Sequence, residues 1–77
     1  MNPSGEASNP PAPRLSPREA DCARMLARGH NYESAGAELG IGQRTVRFHV
    51  ENAKRKLKAR TACELVALAI KSREIEA

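Results

Sequence analysis

The sequence predicts an all-α fold, a four-helix bundle, and three observations carry that prediction. Apolar residues recur at the helical period along most of the chain after residue 14, as in Val46, Val50, Ala53 and Leu57. Helix-start signals stand ahead of these patterns, and Gly29 and Gly40 stand behind two of them. No stretch reads as a strand, so none is expected. Seventy-seven residues make one small domain. A chain of this size buries only about 60% of its unfolded surface, so the core is thin and a sizeable active-site cavity is hard to enclose.

Residues 1–13 hold four of the five prolines and almost nothing apolar, and are expected to form a disordered arm or linker. The domain is expected over 14–77. Its first helix opens at Ser16-Pro17-Arg18-Glu19. Ser16 caps, Pro17 suits the first helical position, and Glu19 completes a capping box. Leu15, ahead of the cap, is placed to staple to Ala20. The helix then carries Cys22, Ala23, Met25, Leu26 and Ala27, and Gly29 stops it as a residue that accepts positive φ.

Asn31 caps a second, short helix at about 32–39, with Ala35 and Leu39 on its inner face. Gly36 inside it costs about 1 kcal/mol of helix preference against Ala, so this helix is expected to be the least stable. Gly40-Ile41-Gly42 forms a tight turn, and a third helix runs from about Gln43 to Leu57. Two helices joined by so short a glycine-bearing turn make a helix-turn-helix, in which the second helix is the reading helix. Thr61-Ala62-Cys63-Glu64 is another capping box, opening a fourth helix that ends near Ser72. It carries two apolar stripes. Leu65, Leu68 and Ala69 suffice to dock it. Cys63, Val66, Ala67 and Ile70 form the second, expected to be a dimer face because so thin a domain has little room to bury both.

Charge points to the partner. Residues 43–60 hold seven of the 13 lysines and arginines against one acid, leaving six bases against eight acids elsewhere. The whole net charge of +4 therefore sits on the third helix and its exit. Arg47, Glu51, Lys54 and Lys58 share one stripe, with Arg44 and Arg55 at its far edge. A helix docked by its apolar side, with a mostly basic side in water, suits a groove of double-stranded DNA. Charge of this kind more often marks a solvated face, but its one-sidedness favours nucleic acid.

Other classes fit less well. One Tyr, one Phe and no Trp argue against the stacking platforms of single-strand binders. Cys22 and Cys63 are too few for a disulfide framework and read as small buried or interface hydrophobes. Neither His30 nor His49 has partners at metal-binding spacing, and no metal or cofactor is expected. No enzyme is expected either, since no paired carboxylates, activated nucleophile or phosphate-cradling glycine loop is present. The chain shows no secretory signal and no membrane-length apolar run, so no membrane partner is expected, and a cytoplasmic location is.

Residues 15–70 resemble the DNA-binding domain of LuxR-type transcription factors. The resemblance rests on Leu15-Ser16-Pro17-Arg18-Glu19, Ala27-Arg28-Gly29, Leu39-Gly40-Ile41, Thr45-Val46-Arg47-Phe48-His49-Val50, Lys56-Leu57 and Glu64-Leu65-Val66. The run from Phe48 to Ala53, with Arg55-Lys56-Leu57, looks most like the quorum-sensing branch. The sequence departs from the family at Ala35-Gly36, where Ile-Ala is usual, and at Gly42, where Ser is frequent and Gly is tolerated as a cap. The resemblance implies a domain that binds two-fold DNA sites as a homodimer and is usually carried behind a ligand-sensing or phosphoacceptor domain. No such domain is legible in these residues, which leaves open a fragment, with a regulatory domain or partner regulator outside this chain, or a stand-alone regulator controlled by some other means.

Arg47 is the first candidate for base readout, with a phosphate contact as its alternative, because Arg pairs bidentately with guanine O6 and N7 and the matching family position often contacts bases. Glu51, one turn on, also matches a base-contact position. It accepts from cytosine N4 or orients Arg47, Lys54 or Arg55, two readings of equal weight. Phe48 either meets a thymine methyl or packs on its own helix. His49 is read as structural. Gln43, Arg44 and Thr45 at the helix start, and Lys54, Arg55 and Lys58 further on, are candidate phosphate contacts. Lys56 lies near the other side, its stem expected to pack while its ammonium reaches outward. The rival with the same chemistry is a sigma-factor promoter-reading domain, which the Phe48-to-Asn52 run disfavours. A rival of another class is a protein-interaction module that heterodimerises with a full-length LuxR-type regulator and silences it.

Overall fold

The computed structural model describes residues 14–76; the arm expected over 1–13 lies outside the described residues. Four helices follow in order, α1 (Pro17–Ala27), α2 (Tyr32–Leu39), α3 (Gln43–Leu57) and α4 (Ala62–Lys71). No strand occurs among the described residues.

Local chemistry explains most of the boundaries. At α1 the Ser16 Oγ accepts from the Glu19 amide at 3.2 Å and the Glu19 carboxylate accepts from the Ser16 amide at 2.9 Å. Leu15 and Ala20, on either side of that cap, are both buried. After α1, Gly29 has φ +94°, and the amides of Gly29 and His30 donate to the carbonyls of Leu26 and Met25. Such paired back-bonds satisfy carbonyls that the helix end leaves open. At α2, Asn31 and Ser34 exchange side-chain and backbone bonds, and Gly40 closes the helix at φ +73°. The expected box at α4 is only half formed. Thr61 accepts from the Glu64 amide at 3.0 Å, but the Glu64 carboxylate takes the Arg60 amide at 2.7 Å instead of that of Thr61.

Helix α3 packs against each of the other three, whereas the backbones of α2 and α4 make no close approach. The apolar seam of α3 explains this. Val46, Val50 and Ala53 are fully buried, together with Cys22 and Ala23 of α1, Ala35 of α2, and Leu65 and Ala69 of α4. Cys22 is thus the small hydrophobe expected of it, and burial pushes its thiol pKa up. The segment after α4 adds a core residue that periodicity missed. Arg73 adopts φ +61°, the Glu74 amide bonds back to the Ala69 carbonyl at 2.8 Å, and Ile75 turns into the core. Glu74 also accepts from the Leu15 amide at 3.2 Å, and Glu76 pairs with Arg24 at 2.9 Å, so both ends of the described chain meet beside α1.

Two expectations need correction. Gly36 is not simply a cost to α2. A Cβ there would lie 2.6 Å from the Ile41 carbonyl oxygen, so the turn approaches the helix as closely as a bare glycine permits. The amides of Gly40 and Ile41 both donate to the Gly36 carbonyl, holding the turn there. Lys56 points inward rather than outward. Its ammonium donates to Glu19 at 2.8 Å and to the Arg14 carbonyl at 3.3 Å. Glu19, at 5% exposure, is the one charged side chain buried among the described residues. Burial pushes its carboxyl pKa up, but the Lys56 ammonium and the Ser16 amide outweigh that and hold it below the ordinary value.

Candidate nucleic-acid interface

Helix α3 is held by one side only. Its opposite side bears Arg44, Arg47, Phe48, Glu51 and Arg55, all exposed, around one shallow open recess. The helical period produces this division. Advancing about 100° per residue from Val46 places Arg44 and Arg55 nearly opposite the buried seam, with Phe48 and Glu51 to either side of them. Arg47 and Lys54, seven residues apart, lie together on one flank. Lys56 falls on the other flank, which faces Glu19 of α1.

The start of α3 is chemically open. Gly42 supplies no side-chain cap, and no acid stands in the first turn. The leading amides therefore keep their partial positive charge for an external anion, with Gln43, Arg44 and Thr45 exposed around them. At the other end Lys58 is exposed and adopts φ +58°.

Side-chain partners sort the candidates. Glu51 pairs with Lys54 at 3.1 Å, and Arg55 hydrogen-bonds to Asn52. Lys54, rather than Arg47 or Arg55, is thus the basic neighbour on the helix with which Glu51 pairs. That leaves the Lys54 side chain only 20% exposed, more enclosed than the other phosphate candidates. Phe48 is 62% exposed, the only large hydrophobic side chain so exposed among the described residues. It meets His49 edge-on, with ring centroids 5.7 Å apart, and lies outside the core. Arg47 is exposed, yet its guanidinium lies over the Tyr32 ring, 5.8 Å from the centroid. The sequence singles out Tyr32 only as a lone aromatic directly after a helix cap, which does not reveal which side chain of another helix it meets.

The candidate dimer stripe is partly spent. Ile70 packs on the core and Val66 is half-buried, while Cys63 and Ala67 are exposed. Cys63 and Val66 line a shallow apolar groove with Leu26, Ala27 and Ala62, so the exposed part of α4 continues onto the end of α1. Among the described residues no three metal-ligating side chains cluster, and no helix is long and apolar enough to cross a membrane.

These features define an all-helical, helix-turn-helix domain with one polar, mostly basic helix face left free. The profile of bacterial regulatory proteins of the luxR family matches residues 13–69, and the chain belongs to that family. It is a family of regulators and not of enzymes. Similar proteins include the transcriptional activator protein CarR of Pectobacterium carotovorum, 42% identical over 43 residues, 56% of this chain. The putative HTH-type transcriptional regulator y4qH of Sinorhizobium fredii is 37% identical over 60 residues, 75% of this chain. The HTH-type transcriptional activator RamA of Corynebacterium glutamicum is 42% identical over 53 residues, 69% of this chain. The matches span 18%, 18% and 19% of these three relatives, so the likeness concerns one domain of each.

Proposed function

We propose that this domain is a sequence-specific, double-stranded DNA-binding transcription regulator that inserts α3 into the major groove and binds as a homodimer through α4. The observation that carries the reading is the exposed face of α3, where Arg47, Phe48 and Glu51 stand among Arg44, Arg55 and Lys58 while the opposite face is core. In this reading Arg47 donates to guanine, the exposed Phe48 ring meets a thymine methyl, and Glu51 accepts from cytosine or steers Lys54. Gln43, Arg44, Thr45, Arg55 and Lys58 bind phosphates, helped by the uncapped helix start, and Lys54 joins them when it leaves Glu51. Cys63, Val66 and Ala67, with the outer edge of Ile70, form the dimer contact. The location is the cytoplasm, on the nucleoid when bound, and the quorum-sensing branch is the subfamily.

Selection of bound duplexes from a random pool at near-physiological salt tests this. An enriched two-fold motif, with half-site centres about one helical turn apart, is expected. Arg47→Ala should then cost about 1–3 kcal/mol on the selected site and relax preference at one base pair. Uniform weakening on every duplex would make Arg47 a phosphate contact. The apolar groove between α1 and α4 favours a second reading, in which this chain pairs with a full-length relative and silences it. A folded protein that enriches no duplex and co-elutes with such a relative would support that reading.

A further inference from the structure

We infer that Tyr32 is a positioning residue for base readout, an aromatic platform that aims Arg47 at its base. The inference rests on the reading of Arg47 given above. Arginine is long and samples many rotamers, and a reader that must be immobilised on binding discriminates less sharply than one already held. An arginine can be held by a carboxylate or by an aromatic ring. Glu51, one turn along the same face, is occupied by Lys54 at 3.1 Å, and no ion pair among the described residues involves Arg47. Tyr32 supplies the ring, and the 5.8 Å between the guanidinium carbon and the ring centroid is within the range of a cation–π contact.

The platform is itself fixed. Tyr32 is the first residue of α2, directly after the Asn31–Ser34 capping box, and its side chain is half-buried and packed against the core. The close approach of the turn to Gly36 holds the start of α3 against α2, the helix that carries the ring. No side-chain hydrogen bond or ion pair among the described residues uses the Arg47 N–H groups, so the fork that pairs with guanine O6 and N7 remains available. The contact is made by the ring and does not require the hydroxyl. Tyrosine and phenylalanine should therefore serve alike, and an aliphatic residue of similar bulk should not.

The test uses the full chain, its selected duplex and the single-base-pair variants of that duplex at one salt concentration. The proteins are the wild type, Arg47→Ala, Tyr32→Phe, Tyr32→Leu and Tyr32→Leu with Arg47→Ala. Tyr32→Leu keeps apolar packing on the core, and matching helical circular dichroism and melting temperature verify its fold. Tyr32→Leu is expected to lower discrimination at the base pair read by Arg47 by about two- to five-fold, the factor of an exposed cation–π contact. Preferences at other positions should stay as they are. Tyr32→Phe should match the wild type, and Tyr32→Leu should change nothing at that base pair once Arg47 is alanine. The inference is overturned if Tyr32→Leu weakens all duplexes equally, leaves discrimination intact, or is matched by Tyr32→Phe, which would assign the effect to the hydroxyl. If Arg47→Ala relaxes one position and Tyr32→Leu does not, only the platform fails. If Arg47→Ala itself weakens every duplex equally, the reading of Arg47 fails and the platform with it.

Discussion

Lys56 belongs to a lysine- and arginine-rich run, and replacing it with methionine separates a structural cation from the DNA-facing ones. Methionine keeps much of the apolar stem and removes only the ammonium. The Glu19 carboxylate, whose side chain is 7% exposed, would then retain the Ser16 amide and lose its cation. Breaking a fully buried pair costs about 3–5 kcal/mol, whereas a surface pair contributes about 0–1 kcal/mol. The Lys56 side chain is 33% exposed, which places this pair between those limits. We expect a loss of about 2 kcal/mol at neutral pH, a fall of roughly 8–16 °C in Tm for a domain of this size.

The pH dependence is a second signature of the same pair. Burial raises the Glu19 pKa, but Lys56 and Ser16 lower it further, so its net folded value is depressed. The stabilisation is then complete above the unfolded value, near 4.5, and is lost as pH falls through the lower folded value. Denaturant titrations of wild type and Lys56→Met should differ most between about pH 5 and 8 and converge in stronger acid. The salt slope of DNA binding should not change, because this ammonium faces α1. A variant as stable as wild type at pH 7, yet with a salt slope reduced by about 0.9, would sink the argument and make Lys56 a phosphate contact.

Lys58→Gly should raise stability by about 0.5–1 kcal/mol in thermal melts, because Lys58 adopts φ +58° where only glycine is unstrained. The same change should lower the salt slope if the ammonium meets phosphate; no gain in Tm would deny the strain. Gly36→Ala should fail to deliver the roughly 1 kcal/mol that helix preference offers, since the new Cβ would press on the Ile41 carbonyl oxygen. A stabilisation of that full size, measured by urea unfolding, would show that the turn moves freely. Val66→Glu should leave the helical spectrum intact and abolish paired half-site binding while single half-sites are still bound. Loss of the fold instead would show that the half-buried Val66 is a core residue.

The features legible in the residue order are local or periodic. Ser16, Asn31 and Thr61 cap neighbouring amides, and Gly29 and Gly40 take positive φ, all through bonds within a few residues. The seam of Val46, Val50 and Ala53, with bases gathered opposite it, needed only the helical repeat. Both kinds of signal are written in consecutive residues, so the helices and the free face of α3 were legible in advance. Their resemblance to a family was legible for the same reason.

Which distant groups meet depends on how the helices pack. The inward turn of Lys56 depends on Glu19, 37 residues away, and the return of Ile75 comes with a Glu74–Leu15 bond spanning 59 residues. Arg47 finds Tyr32 across two helices that a close-packed turn holds together, and periodicity within either helix says nothing about that approach. The helical repeat could put Lys54 beside Arg47 and Lys56 on the other flank, but not say that Lys56 meets a buried carboxylate or that Arg47 meets an aromatic ring. Those assignments depend on the angle at which α3 crosses α1 and α2, which packing of the whole core sets at once.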